Sequence, residues 1–337
     1  MLVILILVAA LLGAAWSVTG SLGPRMSPPA EQTDPKLYRS IIAGVESGHD
    51  YYPVAARELR NGHYPLVPFV AFRLPTLAWI SAAIGTTGLH WLQLVLGSAV
   101  MVAWGWRWRE GLAPAELAAA LFLLGCGLIG LVQPATAVFH ESWAALLLAL
   151  AIALDRSGTA GLAILVGTAA LLVRELSAPM ILAFAGLALV KGHRRRALGW
   201  ATSLTIFAIA VILHARAVSG VVLPTDLHSP GWGGLLGAGF AFRSLTLATA
   251  AIALPAIPAA LLFTTSIFGL VSSRADWGVR ATLMVAGYVA LLSLIARADT
   301  FYWGMMAAPL SLVGLAFVPR AVCDLAAALR TVPVTTT

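Results

Sequence analysis

Ionisable side chains are few in this chain, and those able to take part in chemistry fall at the ends of apolar segments. Asp34 and Asp50 each precede a short amphipathic stretch, and the adjoining residues Arg174 and Glu175 separate two apolar runs. Carboxylates and imidazoles can transfer protons, and guanidinium groups can bind anions. Charged groups close to a membrane core are costly, so they are candidates for function by default. The candidates given by the sequence are Asp34, Asp50, Tyr51, Tyr52, Arg57, His140, Glu141, Arg174, Glu175, Arg243 and Arg297.

Each candidate also has a purely structural interpretation. Asp34 and Asp50 are both suited to cap a helix, which would fix a carboxylate in place without preventing catalysis. Glu141 falls in the first turn of a predicted helix, where a negative charge favours the helix dipole. A buried pair of Arg174 and Glu175 would be costly unless a further partner or a ligand stabilised it. Function is therefore favoured for this pair.

The composition identifies the class of protein. Of 337 residues, 60% are hydrophobic and 10% are charged, and the mean hydropathy is +0.91. A soluble domain carries about 25% charged residues, so this apolar surface must face lipid. The apolar runs are continuous and rich in Leu and Ala, which predicts transmembrane helices rather than the alternating segments of a β-barrel. The net charge of +7 is explained by basic residues that anchor cytoplasmic loops, so nucleic acid is not expected as a partner.

About ten apolar segments are predicted to span the membrane as one all-α bundle, with residues 1–337 forming a single transmembrane domain. The first segment could instead be a signal peptide, but no Lys or Arg precedes it and it is as long as a full span, which favours an uncleaved helix. Residues 64–84 are also apolar, yet they contain Arg73 and three prolines, and they are predicted to lie at the membrane interface. The predicted spans are residues 2–19, 88–106, 113–132, 141–154, 158–173, 176–190, 197–215, 244–271, 280–296 and 302–318.

The distribution of basic residues predicts the orientation of this bundle. Counting residues 64–84 as a span, or joining residues 158–190 into one helix, would move a basic cluster to the outer side. Both termini are therefore predicted to be cytoplasmic, with residues 319–337 as a tail. Arg297 and Asp299 precede three aromatic residues on the outer side, and their structural interpretation is an interfacial anchor. The basic residues assigned to the cytoplasmic side are Arg107, Arg109, Arg156, Lys191, Arg194, Arg195, Arg196, Arg274, Arg280, Arg320 and Arg330.

Residues 20–87 form the longest hydrophilic stretch and are predicted to be the first outer loop. Asp34, followed by a proline, is typical of a helix start, and Gly48 is typical of a helix end. A second helix is predicted to follow Asp50 and to stop at Gly62. A third, near residues 75–84, would lead into the second span. These short helices are predicted to lie along the outer membrane surface.

The first outer loop carries a resemblance to a known family. Residues 47–68 read SGHDYYPVAARELRNGHYPLVP, and residues 73–79 read RLPTLAW. This segment resembles the first outer loop of GT-C glycosyltransferases, which are polytopic enzymes that use sugars linked to polyprenyl phosphate. In that superfamily an acidic residue follows the first span, and a helix of the Tyr…Ala-Arg-Glu kind, a Gly-aromatic turn and a Pro-Leu helix come next. The layout of one span, a long outer loop and many further spans is similar over the whole chain.

The resemblance implies a transfer reaction at the outer membrane surface. Asp34 or Asp50 would accept the proton of an acceptor hydroxyl that attacks the anomeric carbon. Arg174, Arg243 and Arg297 would stabilise the phosphate leaving group, because the guanidinium fork matches phosphate oxygens. Spacing alone does not separate the two aspartates. The remaining candidates are assigned to substrate binding, and they are Tyr51, Tyr52, Arg57, His140, Glu141 and Glu175.

The resemblance also implies partners and a location. A polyprenyl-phosphate-linked sugar is the expected donor, a lipid or a glycan on a lipid is the expected acceptor, and membrane lipids surround the chain. No cofactor is certain, and a divalent cation is left open. The implied location is the inner membrane of a bacterium, with the site facing the periplasm or the outside. Two other functions are left open, namely a transporter or lipid flippase, which usually shows inverted repeats, and a non-catalytic assembly subunit.

Overall fold

The computed structural model describes residues 34–273 and 275–330, and within these ranges the chain is all-helical. No β-strand forms there, although one isolated bridge pairs Val67 with His228. Short 3-10 helices occupy Phe69–Ala71, Pro134–Thr136, Glu175–Ser177, Ala250–Ala253, Ala298–Met306, Ala308–Leu310 and Val313–Phe317. The α-helices are α1 (Asp34–Glu46), α2 (Tyr51–Asn61), α3 (Thr76–Trp108), α4 (Pro114–Leu128), α5 (His140–Leu154), α6 (Ala160–Val173), α7 (Ala178–Val190), α8 (Arg194–Ser219), α9 (Gly237–Ala248), α10 (Ala256–Ser272), α11 (Asp276–Ile295) and α12 (Val318–Arg330).

The three helices predicted for the first outer loop are confirmed as helices. Helix α1 begins at Asp34, and the chain turns after it at Gly48, whose φ of 87° is a conformation that glycine adopts without strain. Helix α2 is capped at its C-terminal end by Gly62. The third predicted helix is the first part of α3, which bends at Gly85, where φ is 73°. Residues 1–33, including the predicted first span, lie outside the described residues.

Two predicted spans do not form continuous α-helices. The predicted span 244–271 is divided between α9 and α10. Extended backbone at Thr249 ends α9, a 3-10 helix follows at Ala250–Ala253, and Pro255 disfavours a helical conformation for Leu254 just before α10. The predicted span 302–318 is a series of short 3-10 helices, and an α-helix begins only at Val318. Residues 319–330, predicted to be part of a cytoplasmic tail, belong to α12.

The described residues contain four helical segments that are long and apolar enough to cross a membrane. These segments identify the chain as a membrane protein, while the predicted number of about ten spans is not confirmed. Large apolar side chains such as Phe122 and Val190 are exposed on the outside of the bundle, as expected for contact with lipid. The four segments are Phe69–Trp108, Arg194–Ser219, Asp276–Ile295 and Ala308–Ala328, and five shorter apolar helices are Pro114–Leu128, His140–Leu154, Ala160–Val173, Glu175–Val190 and Ala256–Ser272.

Charged residues meet at the two ends of α5, which at 1.5 Å per residue are about 22 Å apart. Asp155 follows the last residue of α5, and its carboxylate lies 2.9 Å from Arg280 and 3.5 Å from Arg196. Arg107 donates a hydrogen bond to the main-chain oxygen of Asp155. His140 begins α5 at the opposite end. The three arginines around Asp155 lie at the ends of α3, α8 and α11, and all three are among the basic residues that the sequence assigned to the cytoplasmic side.

Glycines allow the 3-10 segment before α12 to pack directly on backbone. A Cβ atom built on Gly314 would overlap the carbonyl oxygen of Ser266, and one built on Gly269 would overlap the carbonyl oxygen of Gly314. Gly304 approaches the backbone of Ser244 in the same way. Small residues are the usual means by which membrane helices approach one another closely. The segment is therefore fixed by contacts with α9 and α10 rather than by its own helix propensity.

Replacing Gly314 with Ala is expected to destabilise the protein strongly. The added methyl group meets a backbone oxygen that cannot rotate away, so the cost should reach or exceed the ~3 kcal/mol upper end of ordinary overpacking. Gly287→Ala is the matched control, because a Cβ at Gly287 meets nothing within 4 Å and Ala favours a helix interior. Thermal unfolding in detergent measures both variants. A midpoint for Gly314→Ala equal to that of Gly287→Ala would contradict the close packing.

Candidate functional site

A cavity of about 350 Å³ opens at the end of the bundle where α5 begins. Its walls come from α1, α2, the irregular segment before α3 and the first turn of α3, the start of α5, the turn between α6 and α7, the loop after α8, the last turns of α11 and the residues that follow α11. Part of its lining is apolar, and includes Leu37 and Ile41 of α1 and Leu291 and Ile295 of α11. The polar and aromatic lining residues are Asp34, Tyr38, Tyr51, Tyr64, Arg73, His140, Arg174, Glu175, Ser229, Trp232, Arg297, Asp299, Thr300, Tyr302 and Trp303.

Asp34 presents a carboxylate to this cavity from the first turn of α1. The hydroxyl groups of Tyr64 and Tyr302 donate hydrogen bonds to it. Burial raises the pKa of Asp34 above its ordinary value, and the positive charge of Arg73 and the two tyrosine hydrogen bonds oppose that rise only in part. The result is a fixed, partly desolvated carboxylate that can hold a proton more readily than an exposed aspartate can.

Arg73 lines the same cavity, and its positive charge acts on Asp34. Its Nε and one terminal nitrogen each donate a 3.2 Å hydrogen bond, to the hydroxyls of Tyr38 and Tyr302 respectively. The hydroxyl of Tyr51 donates a 2.7 Å hydrogen bond to the main-chain oxygen of Arg73. Tyrosines from α1, α2 and the segment after α11 thus hold both the side chain and the backbone of Arg73.

Arg174 is buried at the inner wall of the cavity, where its side chain is 1% exposed. Its Nε lies 2.6 Å from a carboxylate oxygen of Glu141, which is fully buried, and a terminal nitrogen contacts Glu175. The guanidinium also lies 5.9 Å from the ring centre of Trp303. Two carboxylates pair with this arginine, and these ion pairs offset the free-energy cost of burying its charge.

The mouth of the cavity carries a more exposed pair. Arg297 donates hydrogen bonds of 2.7 Å and 3.0 Å to Asp299 and one of 3.2 Å to the hydroxyl of Ser229. Trp232 lies edge to face with Trp303, with ring centres 6.2 Å apart. Aromatic faces beside charged groups suit a ligand with both polar and apolar surfaces.

The loop after α8 is fastened to the segment before α3. Arg60 of α2 donates two 2.7 Å hydrogen bonds to the carboxylate of Asp226. The backbone of residues 66 and 67 bonds to that of Leu227 and Ser229, with N–O distances of 2.6 Å to 3.2 Å. These contacts place Ser229 and Trp232 over the cavity.

The structure gathers most of the predicted site residues and leaves others elsewhere. Asp34, Tyr51, His140, Arg174, Glu175 and Arg297 line the cavity, and Glu141 lies behind it against Arg174. His140 is buried there and stacks edge to face on Tyr38, with ring centres 5.3 Å apart. The predicted residues Asp50, Tyr52, Arg57 and Arg243 are not among the residues that line it.

The residues outside the cavity have identifiable surroundings. Asp50 is exposed at the start of α2, Arg57 is exposed and pairs with Glu58, and Arg243 is exposed on α9. The hydroxyl of Tyr52 lies 3.1 Å from His214 Nδ1 on α8. The geometry therefore separates the two aspartates that spacing could not, because only Asp34 lines the cavity.

Sequence reasoning did not assign Arg73, Tyr38, Tyr64, Tyr302 or Trp232 to the site. Arg73 had the clearest signal, since it is a charged residue within an apolar segment rich in proline. That signal served only to place residues 64–84 at the interface. The tyrosines gave none, because their hydroxyls meet only when segments far apart in sequence come together.

Side chains able to bind a metal ion are not clustered in the described part of the chain. Residues 34–273 and 275–330 contain no group of three or more His, Cys, Asp and Glu side chains arranged to hold a metal ion. The charged groups of the cavity are instead arranged as carboxylate and guanidinium pairs. This arrangement can bind an anion, position a hydroxyl group and accept its proton.

Comparisons with known proteins do not name this site. No protein-family model matches the chain, and no characterised protein or solved structure is significantly similar to it.

Proposed function

We propose that the chain is an integral membrane glycosyltransferase of the GT-C type. It would transfer a sugar from a polyprenyl-phosphate donor to a lipid or glycan acceptor. The observation that carries this proposal is that Asp34, Arg73, Arg174 and Arg297 line one cavity, together with apolar side chains. A base, anion-binding groups and a surface for a lipid chain are the three components that such a reaction needs.

Asp34 is proposed as the base. The acceptor hydroxyl would lose its proton to the Asp34 carboxylate as its oxygen forms a bond to the anomeric carbon of the donor. The bond between that carbon and the phosphate oxygen would break, and its electron pair would leave with the phosphate. Attack from the face opposite the leaving group inverts the anomeric centre. The hydrogen bonds from Tyr64 and Tyr302 fix the carboxylate for this role.

Arginines are proposed to stabilise the leaving phosphate. Arg73 and Arg174 both line the cavity, and guanidinium groups complement developing phosphate charge in a site that excludes water. Arg297, at the mouth, is placed to meet the more exposed part of the donor or the acceptor. Arg243, proposed from the sequence, does not line the cavity and is left out of the mechanism.

The lipid part of the donor is assigned to the apolar lining residues of the cavity. Leu37 and Ile41 of α1 and Leu291 and Ile295 of α11 give a surface on which an isoprenoid chain can pack. The proposed topology has the N-terminus in the cytoplasm, about ten spans and the cavity on the outer side of a bacterial inner membrane. In it, the shorter apolar helices cross the bilayer alongside the four long ones.

Transfer of labelled sugar tests the function. The purified chain in lipid nanodiscs is incubated with a polyprenyl-phosphate sugar and a lipid acceptor, with and without a chelator of divalent cations. Formation of labelled product supports a transferase, and its loss with chelator would add a cation to the mechanism. Passage of substrate across proteoliposomes without a covalent product would instead indicate a transporter or flippase. Absence of both activities would favour an assembly subunit.

As the pH is lowered, the rate of transfer is expected to fall at a higher pH than it would with an ordinary aspartate as the base. Only the ionised form of Asp34 accepts a proton, and burial raises the pKa of this carboxyl above its ordinary value. Activity is therefore present above that pKa and is lost as the pH falls through it. A profile of kcat/KM from about pH 3 to about pH 8 measures this limb, which should lie above the ~3.9 of an ordinary aspartate. A limb at or below that value would contradict the proposed base.

A further inference from the structure

Glu175 occupies a point where two guanidinium groups converge. One of its carboxylate oxygens contacts a terminal nitrogen of Arg174, and the same oxygen lies 3.8 Å from a terminal nitrogen of Arg73. All three residues line the cavity. This oxygen stands where a bound anion would place one of its own oxygens, with both arginines as its partners.

The remaining contacts of the two arginines explain why their terminal nitrogens point to this place. Arg174 directs its Nε to Glu141, and Arg73 directs its Nε and its other terminal nitrogen to the hydroxyls of Tyr38 and Tyr302. These partners fix the planes of both guanidinium groups. The nitrogens aimed at Glu175 are thereby held in place whether or not Glu175 occupies the position between them.

The two carboxylates that pair with Arg174 differ in their freedom. The Glu141 side chain is 0% exposed, and its movement would separate two buried charges, its own and that of Arg174. The Glu175 side chain, by contrast, is 25% exposed. Glu175 begins the short 3-10 turn between α6 and α7 and faces the cavity. It can therefore turn toward water at low cost, while Glu141 remains to balance Arg174.

The negative charges that line the cavity indicate that Glu175 must move aside when an anionic ligand binds. A phosphate that entered while Glu175 stayed between the arginines would meet the repulsion of that carboxylate and of Asp34 and Asp299, which also line the cavity. If Glu175 turns away, the phosphate gains both terminal nitrogens and one repulsive neighbour is removed.

We propose that Glu175 is an internal competitor that fills the phosphate subsite when it is empty and is displaced by the phosphate group of the ligand, a diester in the donor and a monoester in the product. The choice of a lipid phosphate as that ligand rests on the proposed function. After transfer, the return of Glu175 to the arginines helps to expel the product phosphate. The subsite therefore holds its phosphate less tightly than two arginines alone would.

Binding of a polyprenyl monophosphate to the protein in uncharged nanodiscs tests this inference. Glu175→Gln keeps the shape of the side chain and removes the competing charge, so it should bind this lipid about tenfold more tightly than the unmodified protein. Inorganic phosphate should show the same direction of change, and uncharged polyprenol should show none. A gain with the lipid phosphate alone would assign the subsite to a headgroup, and a gain with both would assign it to any phosphate.

Asp299→Asn is the matched control. It removes one negative charge from the same cavity, but Asp299 pairs with Arg297 and not with the two arginines that hold Glu175. Its affinity for the lipid phosphate should change less than about threefold. Equal gains in affinity in the two variants would show that only the net charge of the cavity matters, and would overturn the proposal. An unchanged or weaker affinity of Glu175→Gln would also overturn it.

A second variant covers the case in which Glu175→Gln fails to fold. Glu175→Asp keeps the charge but draws the carboxylate back from Arg73, so it should show a smaller gain in affinity, and no gain would overturn the proposal. The binding result is independent of sugar transfer. Tighter phosphate binding without any transferase activity would refute the proposed function alone, whereas transferase activity with no effect of Glu175→Gln would refute the competitor alone.

Discussion

Asp34→Asn is expected to lower the turnover of sugar transfer by on the order of 10²–10⁴-fold, the range attributed to a positioned general base. The amide keeps the size of the side chain and can accept hydrogen bonds from Tyr64 and Tyr302, but it cannot take a proton from the acceptor. Substrate affinity should change much less than turnover, because the arginines of the cavity remain. Turnover and KM measured with a polyprenyl-phosphate sugar check this result.

Asp50→Asn is the control for this prediction. Asp50 also precedes a helix of the first outer loop, yet it is exposed and does not line the cavity. Its replacement should leave turnover within about twofold of the unmodified protein, since surface substitutions rarely disturb a distant site. Retained activity of Asp34→Asn, or loss of activity in Asp50→Asn alone, would transfer the role of the base to Asp50 or to another group.

Arg174→Ala is expected to cost about 3–5 kcal/mol of stability, because it leaves the carboxylate of Glu141 buried without a partner. It should also abolish transfer, since a cation of the proposed phosphate subsite is lost. Thermal or denaturant unfolding in detergent, together with the transfer assay, measures both effects. Arg297→Ala provides the comparison, because Arg297 pairs with the largely exposed Asp299 and should contribute less than about 1 kcal/mol.

A double variant separates the stabilising role of Arg174 from its catalytic role. Replacing Arg174 with Met and Glu141 with Leu removes both charges together and fills the space with apolar atoms. A buried ion pair can often be replaced in this way at little cost. Stability should therefore recover in large part, while transfer stays absent. Recovery of transfer as well would show that the guanidinium takes no part in the reaction.

Local signals account for what the sequence predicted correctly. Asp34 followed by proline, Gly48 and Gly62 mark helix ends through the chemistry of neighbouring residues, so α1 and α2 could be predicted without knowledge of the fold. The series of 3-10 helices before α12 could not. It depends on Gly304 and Gly314 touching the backbones of α9 and α10, and these contacts leave no periodic pattern in the sequence.

The candidate site was predictable only in part, for a related reason. Asp34 and Asp50 present the same local chemistry, and only the packing of α1 against the rest of the bundle turns one of them toward the cavity. Arg174 and Glu175 could be found because a charged pair between two apolar runs is conspicuous. The tyrosines that fix Arg73 and Asp34 could not, because a tyrosine beside an apolar run is equally suited to an interfacial position.

The pairing of Asp34 with Tyr302 has a consequence for the order in which the protein is made. Tyr302 follows Asp34 by 268 residues in the chain. At a synthesis rate of about 5–20 residues per second, the carboxylate waits on the order of 10–50 s before this hydrogen-bond donor leaves the ribosome. Until then the Asp34 carboxylate lacks one of the two tyrosine hydroxyls that fix it. A chain released before Tyr302 is made therefore carries a complete first loop but an incomplete setting for the proposed base.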